Sequence, residues 1–493
     1  MDRETAFASA RAWIAQAGNH LIDGEWVAGA DRIEVLDPAQ ETAIGSIAAG
    51  GPAEIDAAVA AATRCFRSPG WRAMPPAERE ARLLRLADLV ERDTAQIAAI
   101  ETLDNGAPFG MTQAMVGKGA VSSIRYNAGW ARRLGGDQVD VSVPGRFHAF
   151  TRNEPVGVAG LIVPWNAPFA IACNKVSAAL AAGCTAVIKP AELAPMSTLR
   201  LAELVMEAGF PAGALNVVNG PGTSAGAALA AHPGVAKISF TGSTATGKAI
   251  MRQAADRVAR VSLELGGKSP VVVFDDADLD RAIPGVAMGI FANSGQVCAA
   301  GSRLFVQDAI YDRFVEGLAA FAARLRLGPG EREGSDLGPL ISAAQRDKVE
   351  AYVASARADG AREVFRGTAP DGPGFFVPPT IFDQARPDMR AVREEIFGPV
   401  LCVMRFADDA ALAEVAAQAN DSDYGLSAYA WTRDLERAQS MAALLQAGSV
   451  KINGAGMEFA LPFGGVGESG LGRENGRAGV LAFTEPKSVM IGY

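Results

Sequence analysis

Three side chains in this 493-residue chain are of types, and in settings, that can do chemistry. Cys298 stands in FANSGQVCAAGSR, among small residues and one glutamine, with no charge between Arg281 and Arg303. Small neighbours leave room for a substrate to reach the sulfur, and a thiolate is a strong nucleophile; an inert buried cysteine is the alternative. Glu264, in LELGGK, is an acid at the end of an apolar strand, followed by two glycines. A buried carboxylate is costly unless paired or functional, so it either works or faces outward from the strand. Asn166, in VPWNAP, lies inside the 20 uncharged residues Pro155 to Asn174. An amide there either satisfies the loop backbone or aims N–H donors into a cleft. The run has the length of a membrane span, but Pro164, Asn166 and Pro168 at its centre would break a spanning helix. It reads as buried strand, loop, then helix.

Three glycine motifs compete for attention. Gly465-Val-Gly467-Glu-Ser-Gly470 matches GxGxxG, but only about two dozen residues follow it, too few for a βαβ unit, and it reads as a turn. Gly242-Ser-Thr-Ala-Thr-Gly247-Lys248 resembles a phosphate-binding P-loop, yet Ala249 stands where Ser or Thr must hold Mg²⁺. What survives is a strand, KISF, running through Thr241-Gly242-Ser243 into a helix, which aims N–H groups at an anion; an ordinary glycine turn is the alternative. Gly220-Pro-Gly222-Thr-Ser-Ala-Gly226 also follows a strand and opens a helix, without the GxGxxG spacing, and reads as a turn shaping a cofactor cleft.

Other chemistries find little support. Five scattered cysteines (65, 173, 184, 298, 402) form no CxxC, and His20, His148 and His232 are isolated. No metal site or Ser-His-Asp triad is indicated, and free thiols suit a reducing compartment. Forty-six basic against 55 acidic residues give a net charge of −9, which repels nucleic acid and anionic membrane surfaces. The N-terminus MDRETAFASARAWIAQAG has no apolar core of a signal peptide, so a cytoplasmic location is expected.

The elements that must position these residues follow from length and periodicity. With 49% hydrophobic residues the chain can bury a large core, and its length predicts two to four domains. HLIDGEWV predicts a tight hairpin, and PAEIDAAVAAATRCF and PPAEREARLLRLADLVERD predict helices. Strands are expected over 157–163, 186–189, 215–218 and 237–240, alternating with helices over 175–182, 197–208, 225–231 and 246–258. That alternation predicts a parallel, doubly wound sheet. A second βα region is expected from Val261 to about Gly472, a protruding hairpin after Gly135-Gly136, and a last strand at 488–491.

WNAP, KPAE, FTGS, LELGGK, GQVC, EEIFGP and PFGG occur in this order, between IDGEW at 22–26 and FTEPK at 483–487. Together they resemble the NAD(P)-dependent aldehyde dehydrogenase superfamily over nearly the whole chain. The resemblance implies an α/β fold: a Rossmann-like parallel-sheet cofactor domain over 1–134 and 156–263 and an α/β catalytic domain over 264–474. It adds a small β oligomerisation hairpin over 135–155, paired with the C-terminal tail over 475–493, the two segments joining copies into a homodimer or homotetramer. It implies oxidation of an aldehyde through a thiohemiacetal and a thioester on Cys298. Asn166 and the Cys298 N–H would stabilise the oxyanion, Glu264 would activate the hydrolytic water, and Lys175 would assist proton movement. Since members that transfer to coenzyme A commonly lack the glutamate, a free acid is the expected product. NAD is the implied cofactor. Lys189 and Glu192 would hold the adenosine ribose, Ser243 with Gly242 the pyrophosphate, Glu395 the nicotinamide ribose, and Trp165, Gly222 and Phe397 would line the cleft.

Two departures concern the substrate. After Asn166 come Ala167, Phe169, Ala170, Ile171 and Asn174, where many members carry larger aromatics, or an arginine or tryptophan before the lysine. Val297 and Ala299 flank the nucleophile. A wide apolar tunnel is expected, suited to aromatic, terpenoid or medium-chain aldehydes, unless Phe169, Met457 or Phe459 refills it. Semialdehyde or small-aldehyde oxidation, and a cysteine esterase or acyltransferase without redox chemistry, are the competing readings.

Overall fold

In the computed structural model, which describes residues 1–454 and 456–493, Asp23 and Gly24 both adopt positive φ (55° and 83°). That is the twist a two-residue hairpin needs, and His20–Ile22 pairs with Glu25–Val27 across it. This hairpin edges an eight-stranded sheet in the order Glu25–Val27, His20–Ile22, Leu215–Val217, Thr185–Lys189, Val158–Ile162, Lys237–Thr241, Arg260–Glu264 and Gly470–Leu471. The five strands from Leu215–Val217 to Arg260–Glu264 are parallel. The three central ones are almost wholly buried, as expected where helices cover both faces.

The chain starts the parallel part of this sheet at Val158–Ile162, winds outward to Leu215–Val217, then returns to the other side through Lys237–Thr241. The strand order therefore reverses between Val158–Ile162 and Lys237–Thr241. Open α/β sheets bind ligands outside the carboxyl ends at such a reversal, and here those ends lead into the Trp165-Asn166 loop and into Thr241-Gly242-Ser243.

A second sheet of seven strands runs Arg362–Arg366, Thr380–Asp383, Val400–Phe406, Arg303–Gln307, Pro270–Val273, Ser427–Trp431 and Ser449–Ile452, all parallel except the first. Two of its inner strands, Pro270–Val273 and Arg303–Gln307, are entered from LELGGK and from the Cys298 loop. Both segments thus meet at the amino edge of the second sheet.

The GxGxxG look-alike ties the first sheet to the segment that leads into Ser427–Trp431 of the second. Val466–Gly467 pairs with Tyr424–Gly425, and Gly470–Leu471 pairs with Leu263–Glu264. A Cβ on Gly470 would stand 1.9 Å from the Leu263 carbonyl oxygen, so only glycine allows this approach.

Two expectations shift. The helix expected from Lys175 begins at Pro168 and runs to Ala182, because Pro168 suits the first helical position and the Phe169 N–H is capped by the Glu101 carboxylate at 3.1 Å. The expected protruding hairpin is mainly a two-stranded ribbon: Phe147–Pro155 pairs along all nine residues with Thr484–Gly492. Residues 137–139 add only two backbone bonds to 149–151. Among the described residues, no helix is long and apolar enough to cross a membrane.

Candidate active site

The helix Leu279–Phe291 ends in a turn where Asn293, Ser294 and Gly295 all have positive φ (52°, 53° and 74°). A Cβ on Gly295 would fall 2.1 Å from the Gly398 carbonyl oxygen, which explains that glycine. Two unfavourable non-glycine conformations persist only where surroundings over-determine them, and the partners are in place. Ser294 Oγ donates to the Gly338 carbonyl (2.6 Å); buried Gln296 accepts from the Ile341 N–H (2.9 Å) and donates to Asn293 and Pro339 carbonyls (3.3 and 3.4 Å). Val297, Cys298 and Ala299 emerge from this brace half-buried. Tyr429 holds the Ala299 carbonyl through its hydroxyl (2.8 Å). The other four cysteines are buried, so Cys298 is the accessible thiol.

Asn166 reaches the same loop. Its Nδ2 donates to the Gln296 carbonyl and its own carbonyl accepts from Asn293 Nδ2, each at 2.9 Å. Glu264 arrives from the other side, at the end of Arg260–Glu264. The glycines after it permit close contact: a Cβ on Gly267 would lie 2.3 Å from the Cys298 carbonyl oxygen, and one on Gly266 would lie 2.5 Å from a Glu395 carboxylate oxygen. The Gly267 N–H donates to Glu395 (2.8 Å).

The electrostatics of this junction oppose charge. Burial first, then Glu264 and Glu395, pushes the Cys298 thiol up to about 12. Glu264 is 3% exposed, and among the described residues neither of its oxygens has a hydrogen-bond partner. Burial, reinforced by Glu474, holds its carboxyl well above the usual range, against the pull of Lys175 and Arg473. Lys175 is 1% exposed, donates to Ser239 Oγ (2.8 Å), and forms an ion pair with Glu474. It is thus an interior lysine, not an exposed helix residue.

A second cluster lies at the carboxyl end of the first sheet. Lys189 Nζ and Glu192 form an ion pair at 2.6 Å, and Glu192 accepts from the Gly222 N–H (3.2 Å). Burial pushes Glu192 up, but Lys189 outweighs it and holds the carboxyl below its usual range. Ser243 caps the helix Thr244–Ala255, its Oγ accepting from the Thr246 N–H (3.2 Å). The Gly242 N–H is donated to the Glu264 carbonyl (3.0 Å), so the donors left for an anion are those of the helix's first turn. Lys248 of the P-loop look-alike pairs with Glu468 of the GxGxxG look-alike, which occupies both motifs with each other. Trp165 meets Phe397 edge-on, with ring centroids 5.3 Å apart. Phe397, at φ 57°, is fixed by Gln345 Nε2, which donates to its carbonyl (2.8 Å).

Of the substrate-wall candidates, Ala167, Ala170 and Ile171 are half-buried at the start of Pro168–Ala182, beside Asn166. Phe169 is fully buried in the core behind them and does not refill the space. Asn174 turns inward: its amide meets Glu474 (3.5 Å) and its oxygens accept from Asn127 (3.3 and 3.4 Å). Phe459 is half-buried and Met457 is 61% exposed.

Residues 26–489 match the model of the aldehyde dehydrogenase family. The chain belongs to that family. It is 44% identical over 482 residues to phenylacetaldehyde dehydrogenase of Pseudomonas fluorescens, covering 96% of this chain and 95% of the relative. It is 42% identical over 476 residues to betaine aldehyde dehydrogenase of Bacillus subtilis, covering 95% and 96%. The NAD⁺ complex structure of aldehyde dehydrogenase from Bacillus cereus superposes with a TM-score of 0.93 at 41% identity, covering 97% of each chain.

In this aldehyde dehydrogenase three site residues escaped sequence reasoning. Glu474, partner of Lys175 and neighbour of Glu264, sits in an unremarkable LGREN turn. Gln296 and Asn293 brace the nucleophile loop. Their shared signal is a polar side chain inside an uncharged, small-residue stretch, the same one that singled out Asn166.

Proposed function

We propose that this aldehyde dehydrogenase oxidises bulky, uncharged aldehydes to carboxylic acids, with NAD as the hydride acceptor. The observation that carries the substrate reading is the wall beside Cys298. Ala167, Ala170, Val297 and Ala299 are small, Phe169 is turned into the core, and Asn174 is committed to Glu474 and Asn127. A large apolar group fits such a wall, and each buried CH₂ contributes about 0.8 kcal/mol. Lys451 stands 5.6 Å from the Tyr429 ring, and its charge acts on Cys298, so a trimethylammonium aldehyde would meet like charge.

The residues present suit NAD. Glu192 is a carboxylate held in place by Lys189 and the Gly222 N–H, the chemistry that accepts hydrogen bonds from ribose hydroxyls, and the first turn of Thr244–Ala255 offers N–H donors and a positive helix end to a pyrophosphate. Glu395 would hold the second ribose, beside Phe397 and Trp165. Bound NAD supplies the hydride acceptor that turns a thiohemiacetal into a thioester.

The chain's own residues do the rest. Cys298 Sγ, as thiolate, adds to the aldehyde carbon and draws the substrate out of solution. Asn166 Nδ2 and the Cys298 N–H meet the charge that develops on the aldehyde oxygen. Glu264, with a carboxyl pushed high and no partner, takes a proton from the water that hydrolyses the thioester. Glu474, whose charge acts on Glu264, can accept that proton on its carboxylate, and Lys175 holds it in place through their ion pair. In this reading 1–134 and 156–263 hold the cofactor, 264–474 carry the nucleophile, and 135–155 with 475–493 join subunits. The ribbon's exposed Met490, Ile491 and Tyr493 supply apolar surface for a homodimer or homotetramer, and the free thiols suit the cytoplasm.

A panel of aldehydes with NAD, scored by kcat/KM, tests the proposal. Phenylacetaldehyde, terpenoid and medium-chain aldehydes should exceed acetaldehyde, succinate semialdehyde and betaine aldehyde. A preference for a two-carbon or charged substrate would overturn it.

A further inference from the structure

Behind the Trp165-Asn166 loop lies the helix Thr94–Asn105, whose last two turns carry buried polar groups that none of the steps above uses: Glu101 (1% exposed), Asp104 (0%) and Asn105 (4%). Asn105 Nδ2 donates to the Trp165 and Asn166 carbonyls, at 3.2 and 3.4 Å. Its Oδ1 accepts from the Ala107 N–H at 2.8 Å, which fixes the orientation of the amide. Four residues earlier, Glu101 accepts from the Phe169 N–H at the start of the next helix. One helix therefore grips the loop on both sides of Asn166, at residues 165–166 and at 169.

The grip is tied to the nucleophile loop through a third segment. Gly106 ends the helix at φ 86°, and a Cβ on Gly338 would fall 2.1 Å from the Gly106 carbonyl oxygen, so the two backbones touch. The same segment, 338–341, accepts from Ser294 Oγ and Gln296 Nε2 and donates its Ile341 N–H to Gln296 Oε1. Asn166 and Cys298 are thus held from behind by one continuous frame. Across the site they meet directly through Asn166 Nδ2 and the Gln296 carbonyl.

We propose that Asn105 is a positioning residue for the oxyanion pocket: by holding the Trp165 and Asn166 carbonyls, it sets the direction of the Asn166 amide relative to Cys298. The proposal rests on the reading of Asn166 as an oxyanion donor. A donor displaced by a fraction of an ångström loses most of its value for a charge that exists only in the transition state, whereas attack by sulfur on an alkylating agent builds no oxyanion and needs no such donor.

Asn105→Asp tests this, because it keeps the volume and the acceptor for Ala107 while removing both N–H donors. The holoenzyme should lose roughly 30- to 100-fold in kcat/KM, mostly in kcat. Iodoacetamide alkylation of Cys298 in the cofactor-free protein should stay within about twofold of wild type. Asn105→Ala added to Asn166→Ala should cost nothing further, since the residue it positions is already gone. Alkylation falling in step with kcat/KM, or an equal loss in both backgrounds, would mean general disruption and overturn the proposal. The underlying reading fails separately, and takes the proposal with it, if Asn166→Ala alone keeps wild-type kcat/KM. Should Asn105→Ala not fold, Asn105→Asp in both backgrounds carries the test.

Discussion

Around Cys298 and around Lys189 the same kinds of side chain are handled in opposite ways. At the thiol, Glu264 is buried with no hydrogen-bond partner, and the sulfur is pushed up to about 12 by burial and two nearby carboxylates. The neighbouring polar side chains Asn293, Ser294 and Gln296 are meanwhile spent on bracing backbone. At the other cluster the side chains are paired: Lys189 holds Glu192, Glu192 takes the Gly222 N–H, and Ser243 caps its helix. A group that must change its protonation or bonding gains from being destabilised beforehand. A group that only binds gains from a partner that fixes its geometry and can be shared with a ligand hydroxyl at small net cost.

The contrast breaks most sharply at the nucleophile. Cys298→Ala should lower kcat by on the order of 10³-fold or more, while NAD binding, read by fluorescence titration, stays unchanged. Retained turnover would remove Cys298 from its role.

Glu264→Gln sharpens the same side. Steady-state kcat should fall about 10²-fold or more, after one burst of NADH per site, because hydrolysis follows hydride loss. The carboxylate also raises the thiol, so its neutral replacement should speed cofactor-free alkylation at a given pH. Slower alkylation would show that Glu264 deprotonates the thiol. In wild type, with the thiol far above neutral, the thiolate fraction and the alkylation rate should climb about tenfold per pH unit through the neutral range. A plateau near pH 7 would contradict the electrostatics of the junction.

On the binding side effects should be smaller. Wild type should favour NAD over NADP by about tenfold, or 1.4 kcal/mol, because a 2′-phosphate meets the Glu192 charge. Glu192→Gln should narrow that ratio, freeing Lys189 to meet the phosphate. Equal kcat/KM for both cofactors in wild type would refute the assignment.

The smallest effect tests the substrate wall. Ala170→Phe should lower kcat/KM several-fold for bulky aldehydes and spare acetaldehyde, since overpacking costs about 1–3 kcal/mol where space is filled. An unchanged ranking would show that the wall lies elsewhere.

Much of this was readable along the chain. The alternation of short apolar strands with helices between 157 and 258 announced the parallel sheet, and Asp23-Gly24 its edge hairpin. The GxGxxG look-alike reads as a turn, and its two short strands pair with Tyr424–Gly425 and with Leu263–Glu264. Less was readable where an element's boundary depends on a distant partner. Pro168–Ala182 starts seven residues early because Glu101, from another helix, caps it. For the ribbon around Phe147–Pro155, local pattern announces only a hairpin; its partner Thr484–Gly492, more than 300 residues away, is legible through the family resemblance alone.

The sequence by itself determined which residues could react and where the chain must turn: a cysteine among small neighbours, an acid before two glycines, an amide in an uncharged loop, and family motifs in order. Composition and local periodicity act over a few residues, so these signals survive in one dimension. Only the tertiary structure decided which groups share the buried space. It set Glu474 against Lys175 and Glu264, turned Phe169 away from the wall, and brought Asn105 behind Asn166. Such pairings join residues tens to hundreds of positions apart, and the energy that selects them is burial and hydrogen-bond satisfaction in the packed interior, which does not exist until the chain has folded.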